Sequence, residues 1–231
     1  MADGFGNRPR ILRGAFVEYG LAVPPSMVVF QFNPVELARH RNIGVSVPQS
    51  LVPGDGEDRL RRYHQSQGNL AKVRDAQTIT VAEETISLTV RLDATDALDE
   101  GDGMAQAFGV LPRLSALELM VVPRSESLIA SLVDDALADR TGYRFTPAAN
   151  PPLILFVWGR KRVIPVNITS LTITETLFDT TLTPVRATAA VEMTAIEGPS
   201  LPARYTQALT ESISALNLAN IGDAAHVVVP G

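Results

Sequence analysis

The residue types that most often carry catalysis are few and scattered in this sequence. Cysteine is absent, which excludes thiol nucleophiles, disulfides and every cysteine-ligated metal site. No Gly-x-Ser-x-Gly sequence presents a serine nucleophile. The histidines lack the paired spacing of a zinc site; they are His40, His64 and His226. We therefore expect no metal and no cofactor, and no enzyme built on these side chains.

Carboxylates are the remaining candidates for acid–base or metal chemistry. Acidic residues recur from Asp93 to Asp102, mostly three positions apart, which does not match the alternating ligands of an EF-hand loop. Glu83 and Glu84 are adjacent, and adjacent strand residues point to opposite faces, so they form a poor acid–base pair unless a bulge reorients one. A carbohydrate-binding or hydrolytic β-domain that uses this pair, or Asp99 and Glu100, is the alternative from another functional class.

A basic cluster is the only candidate for nucleic-acid contact. It contains Arg59, Arg61 and Arg62, followed by Tyr63 and His64. Glu57 and Asp58 precede it, and the formal net charge of the chain is −5, so we expect interface ion pairs here and no nucleic-acid partner. All basic residues except Lys72 and Lys161 are arginines. That bias suits interface ion pairs, although a G+C-rich genome would produce it as well.

The elements that must position these residues are mainly strands. The chain has 231 residues, of which 45% are hydrophobic, enough for one substantial domain. Runs of β-favouring residues predict strands at 11–19, 27–32, 78–92, 153–158, 163–178 and 185–195. The first two form a hairpin. The alternation changes phase near Glu83-Glu84 and near Ser170, which predicts a break or bulge at each place.

Helical spacing predicts helices over 104–120, 125–138 and 204–218, the first of them interrupted by Pro112. Residues 44–76 are polar and contain glycines, which indicates a long loop. We expect a flexible tip at 1–10, one β-domain at 11–200, and a C-terminal helix and tail at 201–231, with 225–230 as a short strand or tail. No stretch reaches about 18 consecutive apolar residues and the N-terminus has no signal-peptide pattern, so we expect a soluble cytoplasmic protein without direct membrane insertion.

Several strings stand out in order along the chain. They are Val29-Phe30-Gln31-Phe32-Asn33-Pro34, Ile86 to Asp93, Trp158-Gly159, Val166 to Phe178 with Asp179, and Pro184-Val185-Arg186-Ala187. Together they resemble the tube-type domain of contractile injection systems, which are phage-tail-like particles. The resemblance covers roughly residues 11–197.

This resemblance implies a mainly β (α+β) fold in which two packed β-sheets form a small barrel of the phage-tail-tube type with one to three helices. It implies a structural, non-enzymatic baseplate protein, a homohexamer that joins the spike or hub to the inner tube and initiates tube assembly. Its partners would be its own copies, the inner-tube protein, the spike or hub protein and other baseplate or sheath proteins. The particle would lie in the cytoplasm or be released. A close alternative is an inner-tube or cap protein of the same particle.

The resemblance also implies structural or interface roles for particular residues, in the matching strings and in the arginine cluster. These are Phe30, Gln31, Phe32, Asn33, Pro34, Arg59, Arg61, Arg62, Trp158, Gly159, Phe178, Asp179 and Arg186. Asn33-Pro34 would end a strand, Trp158 would cap a buried strand, and Gly159 would allow the tight turn after it. Phe178 would anchor a hairpin whose turn holds Asp179 as an acceptor of backbone N–H bonds.

Arg186 lies on the mixed face of the strand at 185–195, where an ion pair across a subunit boundary and an intramolecular salt bridge are equally open. Arg59, Arg61 and Arg62 would make contacts that become ordered on assembly.

The sequence departs from the family pattern in two places. The turn at 180–183 lacks the Asp-Gly that would define its type. Adaptor members of the family often add a C-terminal LysM module, but the tail from Leu201 is short and lacks its Gly-Asp-Thr-Leu opening. We therefore expect a member without LysM that does not bind peptidoglycan.

Overall fold

The computed structural model describes residues 12–19, 26–52, 56–123 and 152–216. The chain divides into two compact units. The insert unit is Arg39–Thr85, and the main unit combines Met1–Ala38 with Ile86–Gly231. The predicted tip at 1–10, helix at 125–138 and terminal segment at 225–230 lie outside the described residues.

The described ranges contain nine strands and six helices. The strands are β1 (Ala15–Glu18), β2 (Met27–Val29), β3 (Leu37–His40), β4 (Ile43–Ser46), β5 (Thr78–Val81), β6 (Thr85–Asp93), β7 (Ile154–Trp158), β8 (Arg162–Phe178) and β9 (Pro184–Ala195). The helices are α1 (Gly56–Ser66), α2 (Leu70–Ala76), α3 (Thr95–Asp99), α4 (Gly103–Phe108), α5 (Leu111–Leu119) and α6 (Leu201–Leu216).

A mostly antiparallel sheet of seven strands dominates the α+β fold. Its strand order is β2-β1-β7-β8-β9-β6-β3, so β2 and β3 are its two edges. The other described sheet is the antiparallel pair of β4 and β5 in the insert unit. The described strands show this open sheet rather than a closed barrel.

The predicted N-terminal hairpin is confirmed, because β1 pairs antiparallel with β2 in a register that places Phe16 opposite Val28. The strand end predicted at Asn33-Pro34 is wrong, because β2 ends at Val29. The Phe30 N–H still donates to the Gly14 carbonyl, and beyond it the chain bends through residues 31 and 32. Side-chain bonds of Gln31 and Asn33, described below, hold this bend.

Both predicted phase changes are confirmed. Strand β5 ends at Val81 and β6 begins at Thr85, so the chain breaks beside Glu83 and Glu84. Strand β8 is continuous, but its pairing with β9 shifts register between Ile168 and Ser170. The shift is needed because Ile164 and Val166 before it and Leu171 and Ile173 after it all face the same core.

The core lies between one face of the sheet and helices α4 and α5. Alternate residues of β6 and β9 are buried, as the pattern at 185–195 predicts, and Leu114 and Leu117 of α5 pack on them. The predicted interruption of the helix at 104–120 is confirmed between α4 and α5. Pro112 occupies the first turn of α5, where its missing N–H costs no hydrogen bond.

The prediction of a long loop at 44–76 is wrong. This segment contributes β4, α1 and α2 to the insert unit. Asn69 caps α2 by accepting the Ala71 N–H at 2.9 Å, and the buried Tyr63 of α1 donates its hydroxyl to the Lys72 carbonyl at 3.3 Å. The polar composition did not predict these two short helices, because they have no apolar stripe. A cap and one buried aromatic ring hold them in place.

The C-terminal helix α6 begins three residues before the predicted start and is tied to the sheet. The Thr206 hydroxyl donates to the Val163 carbonyl at 2.8 Å and accepts the Val163 N–H at 3.3 Å. Among the described residues, no helix has the length and apolar character needed to cross a membrane.

Candidate functional site

Three of the strings that resemble the tube-type domain meet in one polar network in the main unit. The Gln31 side-chain oxygen accepts the Asp93 backbone N–H at 3.0 Å and a guanidinium N–H of Arg113 at 2.7 Å. The Asp93 carboxylate in turn accepts the Arg186 Nε–H at 2.7 Å. Three strings separated by up to 155 positions in the sequence are thus joined by hydrogen bonds, and we call these contacts the Gln31–Asp93–Arg186 network.

Asp93 is the centre of the network because both of its carboxylate oxygens are engaged. Its second oxygen accepts the backbone N–H and the hydroxyl of Thr95, which holds the first residue of α3. Burial by itself would raise the pKa of Asp93, but the hydrogen bonds from Thr95 and the guanidinium of Arg186 outweigh it and hold the pKa below its ordinary range. Of the two alternatives for Arg186, the structure shows the intramolecular salt bridge.

Replacing Asp93 with alanine is expected to lower the free energy of unfolding by roughly 1–2 kcal/mol, because charge-assisted bonds are lost but Arg186 is partly exposed and screened. Since the pKa of Asp93 is lowered on folding, its contribution is present above about pH 4 and is lost as the pH falls through the folded-state pKa. Chemical denaturation at neutral and acidic pH measures both effects. Asp96→Ala, an exposed change on α3, is the control and should cost almost nothing. Equal losses in the two variants would contradict the role of Asp93.

An aromatic cluster lies beside the network. Phe30 is fully buried and meets Phe16 edge to face, with ring centroids 5.0 Å apart. The Trp158 ring lies 5.8 Å from that of Phe156 and 6.5 Å from that of Phe30, so the tryptophan covers the end of β7 as predicted. Gly14 allows this packing, because a Cβ there would lie 2.6 Å from the Phe30 ring.

Asn33 ties the bend after β2 to the chain before β1. Its side-chain amide donates to the Leu12 carbonyl at 2.8 Å, and its oxygen accepts the Gly14 N–H at 3.1 Å. Its role is therefore to hold two segments together rather than to end a strand. Phe32 and Pro34, its neighbours in the string, turn outward and line a cleft.

The cleft has a volume of about 530 Å³ and lies wholly within the main unit. Its walls are the segment from Phe32 to Ala38 and the outward residues of β6 and β9. The apolar part of the lining includes the exposed Phe32 and Val35 and the buried Leu88 and Val191. The charged groups of the lining are all exposed; they are Glu36, Arg91 and Glu192.

The turn between β8 and β9 is built around Asp179, as predicted. One oxygen of its carboxylate accepts the Thr181 N–H at 2.7 Å, the Thr183 N–H at 2.8 Å and the Thr181 hydroxyl at 2.7 Å. The backbone closes the turn through a bond from the Asp179 N–H to the Thr183 carbonyl. Leu182 has a φ of 66°, so side-chain bonding compensates for the missing Asp-Gly. Phe178 pairs with Pro184 but is half exposed, so the anchor of this hairpin is Asp179.

Asp179→Ala is expected to lower the thermal midpoint of unfolding at neutral pH, whereas Asp179→Asn keeps an acceptor oxygen for the same bonds and should shift it less. Hydrogen bonds from the Thr181 hydroxyl and the Thr183 N–H lower the pKa of Asp179. Its contribution is therefore present above about pH 4 and is lost as the pH falls through the folded-state pKa. Thermal unfolding followed by circular dichroism measures this. Identical midpoints for all three proteins at neutral pH would contradict the assignment.

Gly159 has a φ of 66° and provides the predicted tight turn between β7 and β8.

The arginine cluster lies on α1 in the insert unit. Arg62 donates its Nε–H to the Asp58 carbonyl one turn earlier at 3.3 Å. Arg61 is exposed and Arg59 half-buried.

Of the carboxylates in the hydrolytic alternative, Glu84 has structural partners. Glu84 is buried, and Arg39 binds both of its oxygens while Arg41 contacts one of them at 3.4 Å. Burial alone would raise the pKa of Glu84, but Arg39 and Arg41 together lower it, so this carboxylate stays ionised at neutral pH and cannot serve there as a general acid. Asp102 caps α4 by accepting the Met104 N–H. In the described ranges, no three histidine, aspartate or glutamate residues are grouped to hold a metal ion.

Sequence reasoning placed Gln31 and Arg186 among the candidates but missed three residues on which the site depends, Gly14, Asp93 and Arg113. Asp93 carried a local signal, since aspartate side chains often accept the backbone N–H two residues further on. Gly14 and Arg113 carried none, because their partners lie far along the chain.

No protein-family model matches the chain, and no curated protein matches it. The motif strings and the geometry of the main unit are therefore the basis for a functional proposal.

Proposed function

We propose that this chain is a structural, non-enzymatic component of the baseplate of a contractile injection system, a ring that joins the spike or hub to the inner tube and initiates tube assembly. The observation that carries the proposal is the Gln31–Asp93–Arg186 network. Strings that resemble the tube-type domain separately, and in order, come together in one compact unit and bond to each other. A chance collection of short matches would have no reason to converge.

The sheet offers surfaces suited to a closed assembly. A ring of heterologous contacts needs two different surfaces on each copy, and the seven-stranded sheet has two different edges, β2 and β3. Met27 and Val29 on β2 are exposed. Exposed edge strands promote aggregation unless another strand pairs with them or another element covers them. We propose that neighbouring copies cover β2 and β3. The closed small barrel with two packed sheets and the sixfold ring, both implied by the resemblance, belong to this proposal.

The proposed partners are further copies of this chain, the inner-tube protein, the spike or hub protein, and other baseplate or sheath proteins. Assembly would occur in the cytoplasm, with the particle retained there or released. An inner-tube or cap protein remains the neighbouring alternative, and copy number separates the two: an adaptor ring is present in few copies per particle and a tube protein in many.

The test is cryo-electron microscopy of particles purified from the native host, with mass spectrometry to identify the chain in them. Six copies between the spike and the first tube layer are the expected result. The proposal fails if the chain is absent from every particle, or if a strain lacking it still assembles normal spike-tipped tubes.

A further inference from the structure

We propose that the cleft of the main unit binds helix α1 of a second copy of this chain, with Glu36, Glu192 and Arg91 of the cleft facing Arg61, Arg62 and Asp58 of the helix. The partner is named from charge complementarity between two surfaces of the same sequence. The inference gives a specific contact to the proposed ring and in that sense rests on the proposed function.

The cleft is equipped to bind a chain rather than a small molecule. It is open to solvent, with apolar area from Phe32, which is 46% exposed, and from Val35, which is fully exposed. Within the residues that the structure describes, Glu36, Arg91 and Glu192 make no ion pair and no side-chain hydrogen bond. These three charged side chains lie beside apolar surface and have no charged partner among the described residues. Two of the three charges are negative.

Helix α1 carries the opposite set of charges on one face. Asp58, Arg61 and Arg62 are spaced as i, i+3 and i+4 and therefore lie side by side on the helix surface, and all three are exposed. None of the three forms an ion pair with a described residue. Arg59 is engaged in an interaction of its own, and we do not assign it to this contact. The helix offers two positive charges and one negative charge where the cleft offers two negative charges and one positive.

Such a contact is heterologous, because a cleft on one unit meets a helix on the other unit of the next copy. Heterologous contacts generate rings when the rotation closes. The arginines suit this role, because guanidinium groups bind carboxylates through two parallel bonds. The contact thus joins two different surfaces of neighbouring copies, as each link of a ring does.

Crosslinking can test the contact cleanly because the chain contains no cysteine. Thr89 lines the cleft and Gln65 lies one turn beyond Arg61 on α1, so Thr89→Cys and Gln65→Cys introduce thiols without removing any of the six charges. The two single variants are mixed at high protein concentration and low salt and treated with a short bis-maleimide. We expect a covalent dimer containing one chain of each variant, with a yield that falls as salt is added.

A matched control replaces Gln65→Cys with Ala71→Cys, an exposed position on α2 of the same unit. It should give little mixed dimer. A yield equal to that of the Gln65 pair, or a link confined to single chains of the double variant T89C/Q65C, would overturn the inference.

Charge reversal gives the second test. Adding E36R and E192R to the Thr89→Cys chain should reduce the mixed dimer at least about fivefold, the size expected for two surface ion pairs. Adding R61E and R62E to the Gln65→Cys partner as well should restore it. Circular dichroism checks that all variants are folded. If the doubly reversed pair is no better than the singly reversed pair, the charges do not make the contact.

The outcome is separable from that of the proposed function. If particles contain a ring of this chain but neither crosslinking nor charge reversal shows the contact, the ring uses other surfaces and only this inference fails. If the contact forms in solution and no particle contains the chain, the inference stands as self-association and the baseplate assignment fails.

Discussion

Replacing Phe30 with alanine is expected to destabilise the main unit by about 3–5 kcal/mol, the range for removing a fully buried phenylalanine. The ring has no exposed surface and contacts Phe16, Phe156 and Trp158, so its removal leaves a cavity that β1 and β7 cannot close. Guanidinium denaturation followed by circular dichroism measures the loss. The fluorescence of Trp158, the only tryptophan, reports separately on the cluster.

Phe32→Ala is the matched control, since it removes the same side chain two residues away in the same string. Phe32 is about half exposed and lines the cleft, so we expect a loss of about 1 kcal/mol or less. If the two substitutions destabilise the protein equally, the assignment of Phe30 to the core and of Phe32 to the surface is wrong.

Replacing Gly109 with alanine is the second change with a large expected effect, a loss of about 2–4 kcal/mol. Gly109 has a φ of 54° and a ψ of −124°, a conformation that side-chain-bearing residues avoid. An added Cβ would lie 2.2 Å from the carbonyl oxygen of Pro184. That carbonyl accepts the Val110 N–H at 3.0 Å, so the clash would push the start of β9 away from the junction of α4 and α5.

Gly101→Ala is the control that separates the cost of the left-handed backbone conformation from the cost of a steric clash. Gly101 also has a positive φ, 77°, but an added Cβ would have no atom within 4 Å. The control should therefore lose only the roughly 1–2 kcal/mol of the left-handed conformation. Chemical denaturation of both variants gives the difference. Losses of the same size would show that the contact with Pro184 has no steric consequence.

The sequence by itself determined most of the strands of the main unit, because their information is local. The alternation at 185–195 predicts a half-buried strand, and β9 buries the predicted residues. The phase changes predict the break before β6 and the register shift at Ser170, and both are present. Because side chains alternate between the two faces of a strand, burying one face fixes which residues point into the core.

The insert unit shows where local patterns fail. Residues 44–76 are polar enough to indicate a loop, yet they form a strand and two helices. Those helices depend on a cap at Asn69, on Tyr63 and on the pairing of β4 with β5. The cap acts on Ala71 and the Tyr63 hydroxyl on Lys72, and only β4 needs a partner outside the segment, β5. None of these contacts leaves a hydrophobic period in the sequence, so periodicity did not reveal them.

The residues of the candidate site also fall into those that the sequence identified and those that only the structure revealed. Sequence strings identified Phe30, Gln31, Asp179 and Arg186, and composition alone showed that no cysteine chemistry is available. Only the tertiary structure decided that Arg186 bonds to Asp93, that Gln31 joins them, and that Gly14 and Gly109 must lack side chains. The physical reason is that strands close in space can be far apart in sequence, so which side chains meet depends on sheet order and register rather than on any local pattern.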